Sequence, residues 1–291
     1  PEFLALAEQL HGLEEQREKR LAAAARESGE AKVKDTRESM NPEQLGKLEE
    51  FLARTDLSSV IRRQPICAVV GDNPPQAVFR ELYVSIMDLA STVLPEVNLA
   101  GNPWLFQHLT ESLDKRMLSL LSKNDALTIS GDISFNANVT TLLSDGFQEF
   151  DENIMASRRG SMIIELQKVD IFADLGAYLF AREFVQDKGY RVCLDGLTHN
   201  TMAMVDRERL GADLVKLVWH SDMVDGGPDM HEKVRSVVKR ANPSKVILCR
   251  VDTREAIDFG HSVGIKMFQG HFVENLIAED GRRRELLRLK R

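Results

Sequence analysis

The stretch YRVCLDGLTHNTM, residues 190–202, decides the fold because it joins an apolar strand to a polar loop. YRVCL is apolar on both of its alternating faces, which is typical of a parallel strand covered by helices on either side. Asp195 stands at the carboxyl end of this strand, where catalytic groups lie in parallel α/β sheets. The stretch therefore predicts a parallel sheet, and it poses the question of whether Asp195 takes part in chemistry or is the remnant of a site that once did.

Seven further apolar runs alternate with helical stretches from residue 60 onward. They are ICAVV (66–70), FRELYVSI (79–86), ALTISGDIS (126–134), SMIIEL (161–166), DLVKLV (213–218), KVILCRV (245–251) and GIKMFQG (264–270). Eight strands with intervening helices predict a (β/α)₈ barrel, with an open doubly wound sheet as the alternative. Only GDNPP (71–75) separates the first two runs, and a parallel crossover needs a dozen or more residues, so we expect this pair to be antiparallel.

The first 54 residues have a different pattern, which predicts a helical stem and linker before a barrel domain at 55–291. Apolar and arginine residues recur there in alternating steps of three and four, which favours a short coiled-coil dimer over a lone solvated helix. The positions of this seam are Phe3, Leu6, Leu10, Leu13, Arg17, Arg20 and Ala24. A second helix, PEQLGKLEEFLART, is expected to open at Pro42. We therefore expect a homodimer held by residues 1–54, and because the chain does not begin with Met we expect it to continue a longer one.

Charge and composition exclude several classes of function. The net charge of −7 argues against a general nucleic-acid binder, and the basic end GRRRELLRLKR (281–291) is interpreted as a solvated or partner-facing helix rather than a phosphate-binding arm. No apolar run reaches the length of a membrane span, and the start lacks the features of a signal peptide. Cys67, Cys193 and Cys249 lie inside apolar runs without metal-ligand spacing, so we expect buried thiols in a reducing cytoplasm.

The predicted strand ends carry four carboxylates, namely Glu81, Asp132, Glu165 and Asp195. Carboxylates that converge on one mouth repel one another unless protons or a divalent cation intervene, and oxygen ligands suit Mg²⁺, Mn²⁺ or Ca²⁺. Acidic residues at strand ends can instead cap helices or form salt bridges. The spacing alone leaves both interpretations open.

Taken together, the motifs resemble in order and spacing those of an EAL domain, a family of bacterial phosphodiesterases that open cyclic di-GMP. The resemblance covers residues 60–275. The motifs are RQPI (63–66), RELYVS (80–85), LDKRML (113–118), SGDIS (130–134), IEL (164–166), LDG (194–196), ADLVKL (212–217), KVILCRVDT (245–253) and FQGHFV (268–273). It implies a TIM-like barrel whose first strand pair is antiparallel, with two divalent ions at the strand ends of active members.

Some residues of the family's site are kept in this sequence. By the resemblance, Glu81 and Glu165 stand where metal-binding glutamates lie, and Asp195 keeps the first of a paired Asp-Asp. Lys216 keeps a lysine that lies near the attacking water, and Gln269 keeps the Gln of the QG pair.

Other positions of the family's site are replaced. The resemblance aligns Asp132 with an Asn ligand, Lys168 with a second Glu, and Gly196 with the second Asp. Val218 stands in place of an Asp, and Cys249 in place of a Glu ligand. A neutral thiol is a poor ligand for a hard cation, so these changes imply a vestigial site with no metal, in which Mg²⁺ or Mn²⁺ would bind only if that site were still occupied.

Nucleotide binding is separable from hydrolysis. Where the family has an Arg that grips a phosphate of cyclic di-GMP, this chain has Ser85, which offers one neutral hydrogen bond in place of a charge-assisted fork. If nucleotide binds, the residues expected to contact it are Gln64, Glu81, Asp195 and Gln269. The sequence thus predicts a catalytically inactive EAL-like module with an unidentified protein partner. The alternatives are a receptor that binds cyclic di-GMP without cleaving it and a weak metal-dependent phosphodiesterase.

Overall fold

The structure, a computed structural model, describes residues 37–55, 60–71, 73–122 and 131–289. The predicted seam from Phe3 to Ala24 and the beginning of the ALTISGDIS run lie outside the described residues.

Eight strands close into a barrel, as predicted, and the closed ring rules out the open doubly wound sheet. In the order in which they neighbour one another they are β2 (Ile61–Ala68), β3 (Gln76–Val84), β5 (Ile133–Asn136), β6 (Met162–Gln167), β7 (Arg191–Leu197), β8 (Leu214–Val218), β9 (Val246–Cys249) and β10 (Met267–Phe268). β2 pairs antiparallel with both of its neighbours, whereas the other neighbouring pairs are parallel. The short GDNPP connection therefore joins an antiparallel pair, as predicted. The two short strands β1 (Glu38–Ser39) and β4 (Val97–Asn98) pair outside the barrel.

Helices follow most of the strands. Those in the described residues are α1 (Pro42–Arg54), α2 (Ile86–Val93), α3 (Pro103–Ser122), α4 (Val139–Leu142), α5 (Asp145–Asn153), α6 (Ala156–Arg159), α7 (Lys168–Ala173), α8 (Leu175–Asp187), α9 (His199–Met204), α10 (Asp222–Asp225), α11 (Gly227–Arg240), α12 (Arg254–Ser262) and α13 (His271–Leu289). None of them is both long enough and apolar enough to span a membrane.

Strand alternation fills the barrel with an apolar layer and then a polar one. Side chains two residues apart on a strand share a face, so an interior apolar residue is followed by an interior residue nearer the carboxyl end. The pairs are Phe79 and Glu81, Ile163 and Glu165, Leu214 and Lys216, and Ile247 and Cys249. The apolar layer is therefore the floor on which the candidate site stands. All three cysteines are buried, as predicted, and none forms a disulfide.

The helix predicted to open at Pro42 is confirmed as α1. Asn41 caps it, and the side chains of Asn41 and Gln44 each bond the other's backbone N–H in a capping box. Its buried face, Leu45, Leu48 and Leu52, belongs to one apolar cluster with residues of α2 and α3. α1 therefore packs as part of the helical layer next to the barrel.

Candidate functional site

A buried lysine lies between two glutamates inside the carboxyl end of the barrel. Lys216 Nζ of β8 is 2.7 Å from Glu81 Oε2 of β3 and 2.6 Å from Glu165 Oε2 of β6. The Lys216 side chain is 3% exposed and that of Glu165 is fully buried. Three of the predicted site residues therefore form one network, which we call the Lys216 triad.

Amide side chains surround Glu81. Asn136 donates to Glu81 Oε1 at 2.9 Å, and Gln269 donates to Glu81 Oε2 at 2.5 Å. The Gln269 amide also donates to Gln64 Oε1 at 3.0 Å. The predicted residues Gln64 and Gln269 are thus brought to the triad, and both Glu81 oxygens are held by donors of the chain itself.

Burial and charge set the protonation of the triad. Burial alone would raise the pKa of Glu81, but the Lys216 ammonium and the three donated hydrogen bonds outweigh it and hold that pKa below its usual value. For Glu165, burial and then the Glu81 charge raise the pKa to about 8, despite Lys216. Burial also disfavours a charged Lys216, yet the two carboxyl groups outweigh this effect and raise its pKa. The surroundings therefore favour the charged forms of Glu81 and Lys216 and the neutral form of Glu165, and Glu165 Oε1 has no hydrogen-bond partner among the described residues.

Asp195 lies near the carboxyl end of β7, and its hydrogen bonds are to residues outside the triad. Gln167 Nε2 donates to Asp195 Oδ2 at 2.5 Å, and the backbone N–H of Gly196 donates to Asp195 Oδ1 at 2.6 Å. Gln167 and Asp195 stand opposite each other in the pairing of β6 with β7. The sequence prediction missed Gln167, because only the register of the closed barrel brings together these two residues, 28 positions apart.

The prediction that Asp132 joins the other carboxylates at the mouth is wrong. β5 begins at Ile133, so Asp132 lies at the amino end of that strand, where its Oδ2 is 2.6 Å from Arg191 Nη2 at the start of β7. The residue at the carboxyl end of β5 is Asn136, which contacts Glu81 and pairs with Glu165. The Asn implied at this position by the resemblance is therefore present. Counting the strand from the apolar residues of ISFN, instead of extending it back through SG, would have found it.

The replaced positions do not supply metal ligands in their present state. Cys249, at the end of β9, donates its thiol to the backbone oxygen of Leu217 at 3.4 Å, and burial raises the pKa of this thiol well above its usual value. Val218 ends β8 and Lys168 begins α7. Each places an apolar or basic side chain where the resemblance has an acid.

Ser85 serves a helix. It is the N-cap of α2, and its hydroxyl oxygen accepts a hydrogen bond from the backbone N–H of Asp88 at 3.1 Å. The hydroxyl is therefore engaged in the local structure of the chain.

An open cleft of about 460 Å³ lies over the triad and Asp195. Besides the residues already named, Tyr83, Arg250, Asp252 and His271 line it. Arg250 has φ 59°, a left-handed conformation that is uncommon for a residue other than glycine. Arg250 adds a cation to the cleft that the sequence prediction did not identify.

The residues present do not fit a two-metal centre. Among the described residues, no group of three or more His, Cys, Asp and Glu side chains is placed to hold a metal ion. An ammonium group stands between Glu81 and Glu165, and Asp195 is bound by two donors of the chain. No reaction step through a metal follows from this arrangement.

Asp114, in the LDKRML motif, is structural. Its Oδ2 accepts hydrogen bonds from the backbone and side chain of Asn138, each at 2.7 Å, and from Thr141 at 2.8 Å. It thus secures the short helix α4 behind the mouth, and burial raises its pKa to about 6.

Solved structures with the same architecture are EAL domains. The EAL domain of FimX from Xanthomonas citri, solved in complex with c-diGMP, is 12% identical, with a TM-score of 0.55 over 79% of this chain and 93% of its own. The S helix-GGDEF-EAL structure of Vibrio cholerae LapD is 13% identical with a TM-score of 0.55, over 79% of this chain and 57% of its own. The PaMucR phosphodiesterase, solved as a c-di-GMP complex, is 16% identical with a TM-score of 0.51, over 72% of this chain and 93% of its own.

These likenesses show the fold, and this chain has the fold of EAL domains. No family model matches the sequence, and no curated protein matches it either.

Proposed function

We propose that the chain is a catalytically inactive EAL-like domain that acts as a regulatory, protein-interaction module in bacterial signalling. The observation that carries the proposal is the buried thiol of Cys249, which donates to the backbone oxygen of Leu217 at the position where the resemblance has a Glu ligand. A metal ion would also have to displace the buried ammonium of Lys216, which is 2.7 Å from Glu81 Oε2 and 2.6 Å from Glu165 Oε2, before it could bind either of those atoms.

Cys249 and Gly196 together argue against a second metal ion. A two-metal hydrolase needs carboxylates free to bind both ions, so that one ion activates water and the other stabilises the leaving oxygen. Here Cys249 is a buried, protonated thiol and Gly196 has no side chain. A second ion would find no carboxylate at either position.

A hydrolysis assay tests the proposal. Purified protein with cyclic di-GMP and either Mg²⁺ or Mn²⁺ is expected to give no linear dinucleotide, while an active EAL phosphodiesterase assayed in parallel does. Time-dependent product that disappears in Glu81→Ala would overturn the inactive interpretation in favour of the weak phosphodiesterase.

The second candidate function is a receptor that binds cyclic di-GMP without cleaving it. The FimX and PaMucR structures were solved with this nucleotide, and the open cleft here presents Tyr83 and Arg250 beside the predicted contacts Gln64 and Gln269. Against it stands Ser85, whose hydroxyl is engaged in capping α2.

Calorimetry with cyclic di-GMP, with and without Mg²⁺, separates the two candidates. The interaction module is expected to give no saturable heat at micromolar nucleotide. A micromolar isotherm that is lost in Arg250→Ala would establish the receptor. The proposed location is the cytoplasm, which the three buried thiols without a disulfide support.

A further inference from the structure

The carboxyl ends of β6 and β7 contain two residues whose positions depend on each other. Gly196 has φ +77°, and a Cβ atom built on it would lie 2.8 Å from Gln167 Oε1. The other end of the same amide, Gln167 Nε2, donates to Asp195 Oδ2. A side chain at position 196 and the present position of Gln167 are therefore mutually exclusive.

We infer that the Gln167 amide stands in for a divalent cation at Asp195, and that it does so only because position 196 is glycine. A nearby cation or hydrogen-bond donors stabilise the charged form of a carboxylate at a barrel mouth. Gln167 Nε2 and the Gly196 N–H supply donors to both oxygens of Asp195 from the chain itself. This replacement of a cation by an amide concerns only how Asp195 is held, and it is the same whether the domain binds a protein or a nucleotide.

Backbone conformation alone would not exclude an acid at position 196. Asp and Asn enter the left-handed region more readily than other non-glycine residues. The contact with Oε1 is at the far end of a flexible side chain, so Gln167 can move away, but then it gives up its hydrogen bond to Asp195. The present arrangement therefore depends on both positions. An acid at position 196 would displace Gln167, and Asp195 would then lose its side-chain donor.

Gln167→Glu tests the inference, because it replaces the donor by a second carboxylate against Asp195. Two carboxylates at hydrogen-bonding distance repel each other and favour a divalent ion between them. We expect 1 mM Mn²⁺, relative to EDTA, to raise the unfolding midpoint of Gln167→Glu by about 3 °C. The wild type and Gln167→Ala are expected to shift by less than about 1 °C under the same conditions.

The double variant Gln167→Glu/Asp195→Asn provides a matched control, because it keeps the new carboxyl group at position 167 but leaves no second carboxylate beside it. This double variant is expected to show no Mn²⁺ response. An equal response of the double variant, or no response of Gln167→Glu, would overturn the inference.

A second measurement does not depend on metal. Gly196→Ala is expected to lower the unfolding midpoint less in a Gln167→Ala background than in the wild type, by about 2 °C. Gly211 is the control, because it has φ +68° and its Cβ would meet the Arg182 side chain at 2.7 Å. Gly211→Ala should lower the unfolding midpoint by the same amount in both backgrounds. If Gly196→Ala also lowered it by the same amount in both, the inference would be overturned.

Discussion

Glu165 carries a buried carboxyl group whose protonation links the stability of the barrel to pH. Its pKa is raised to about 8 in the folded chain from an ordinary value of 4.5, so the folded state binds a proton that the unfolded state releases. This contribution to stability is fully present below pH 4.5 and is lost as pH rises through 8. The neighbouring Lys216 remains charged across the whole window, so Glu165 is the member of the triad that titrates.

Glu165→Gln should therefore flatten the dependence of stability on pH. We expect the free energy of unfolding of the wild type to fall more steeply between pH 6 and 8 than that of the variant, measured by urea denaturation at each pH. Asp114→Asn is the control, because the pKa of Asp114 is raised to about 6 and its contribution is lost below the window of Glu165. Equal slopes for wild type and Glu165→Gln from pH 6 to 8 would contradict the assignment of the proton to Glu165.

Lys216 is the residue whose loss should cost the barrel most. Lys216→Met leaves the ionised Glu81 buried with only its amide donors, and breaking a buried ion pair from one side costs about 3–5 kcal/mol. Lys188→Met is the matched control, because its partner Asp151 keeps Arg159 and Tyr190, and we expect a loss of about 1 kcal/mol there. Urea denaturation compares the two losses, and a cost at Lys216 no larger than that at Lys188 would show that the triad is not a stabilising ion pair.

At the scale of elements, the apolar runs predicted the strands and favoured a closed barrel over an open sheet, and the structure confirms the closure. The short GDNPP connection predicted the antiparallel pair because too few residues were present for a crossover. The pattern could not fix strand ends, since the ladder of β5 begins at Ile133 and leaves Asp132 at the opposite end of the barrel from Asn136. It also could not predict the contact of Gln167 with Asp195, because cross-strand register is a property of the assembled sheet.

The N-cap of α2 gives a prediction at this scale. Ser85→Ala removes the acceptor for the Asp88 N–H and should lower the free energy of unfolding by about 1 kcal/mol. Ser85→Asp is the control, because aspartate is also a favoured cap and should keep most of that stability. Chemical denaturation of the wild type, Ser85→Ala and Ser85→Asp measures these differences in the free energy of unfolding. If alanine and aspartate were equally destabilising, the cap would not be what Ser85 contributes.

At the scale of the whole molecule, the predicted stem of residues 1–54 is not a single unit, because its helix α1 packs with α2 and α3. Leu45, Leu48 and Leu52 of α1 are buried in one cluster with residues of α2 and α3. Removing α1 would expose that cluster, so the experiment could not distinguish loss of a dimer from loss of the fold. Residues 1–36, which include the seam, lie outside the described residues. A deletion that tests the dimer must therefore stop before Arg37.

The last prediction is that the chain lacking residues 1–36 is a monomer and the full chain a weak to moderate dimer. A single helix as short as the seam is marginal in water, so its apolar positions are stabilised only by association, and Arg17 and Arg20 weaken that association. Leu6→Glu and Leu10→Glu together place charges in the seam without touching α1, and this full-length variant should also be monomeric. Sedimentation velocity over a range of concentrations measures all three proteins. A dimer that persists after the deletion, or a monomer at every concentration of the full chain, would show that residues 1–36 do not hold two copies together.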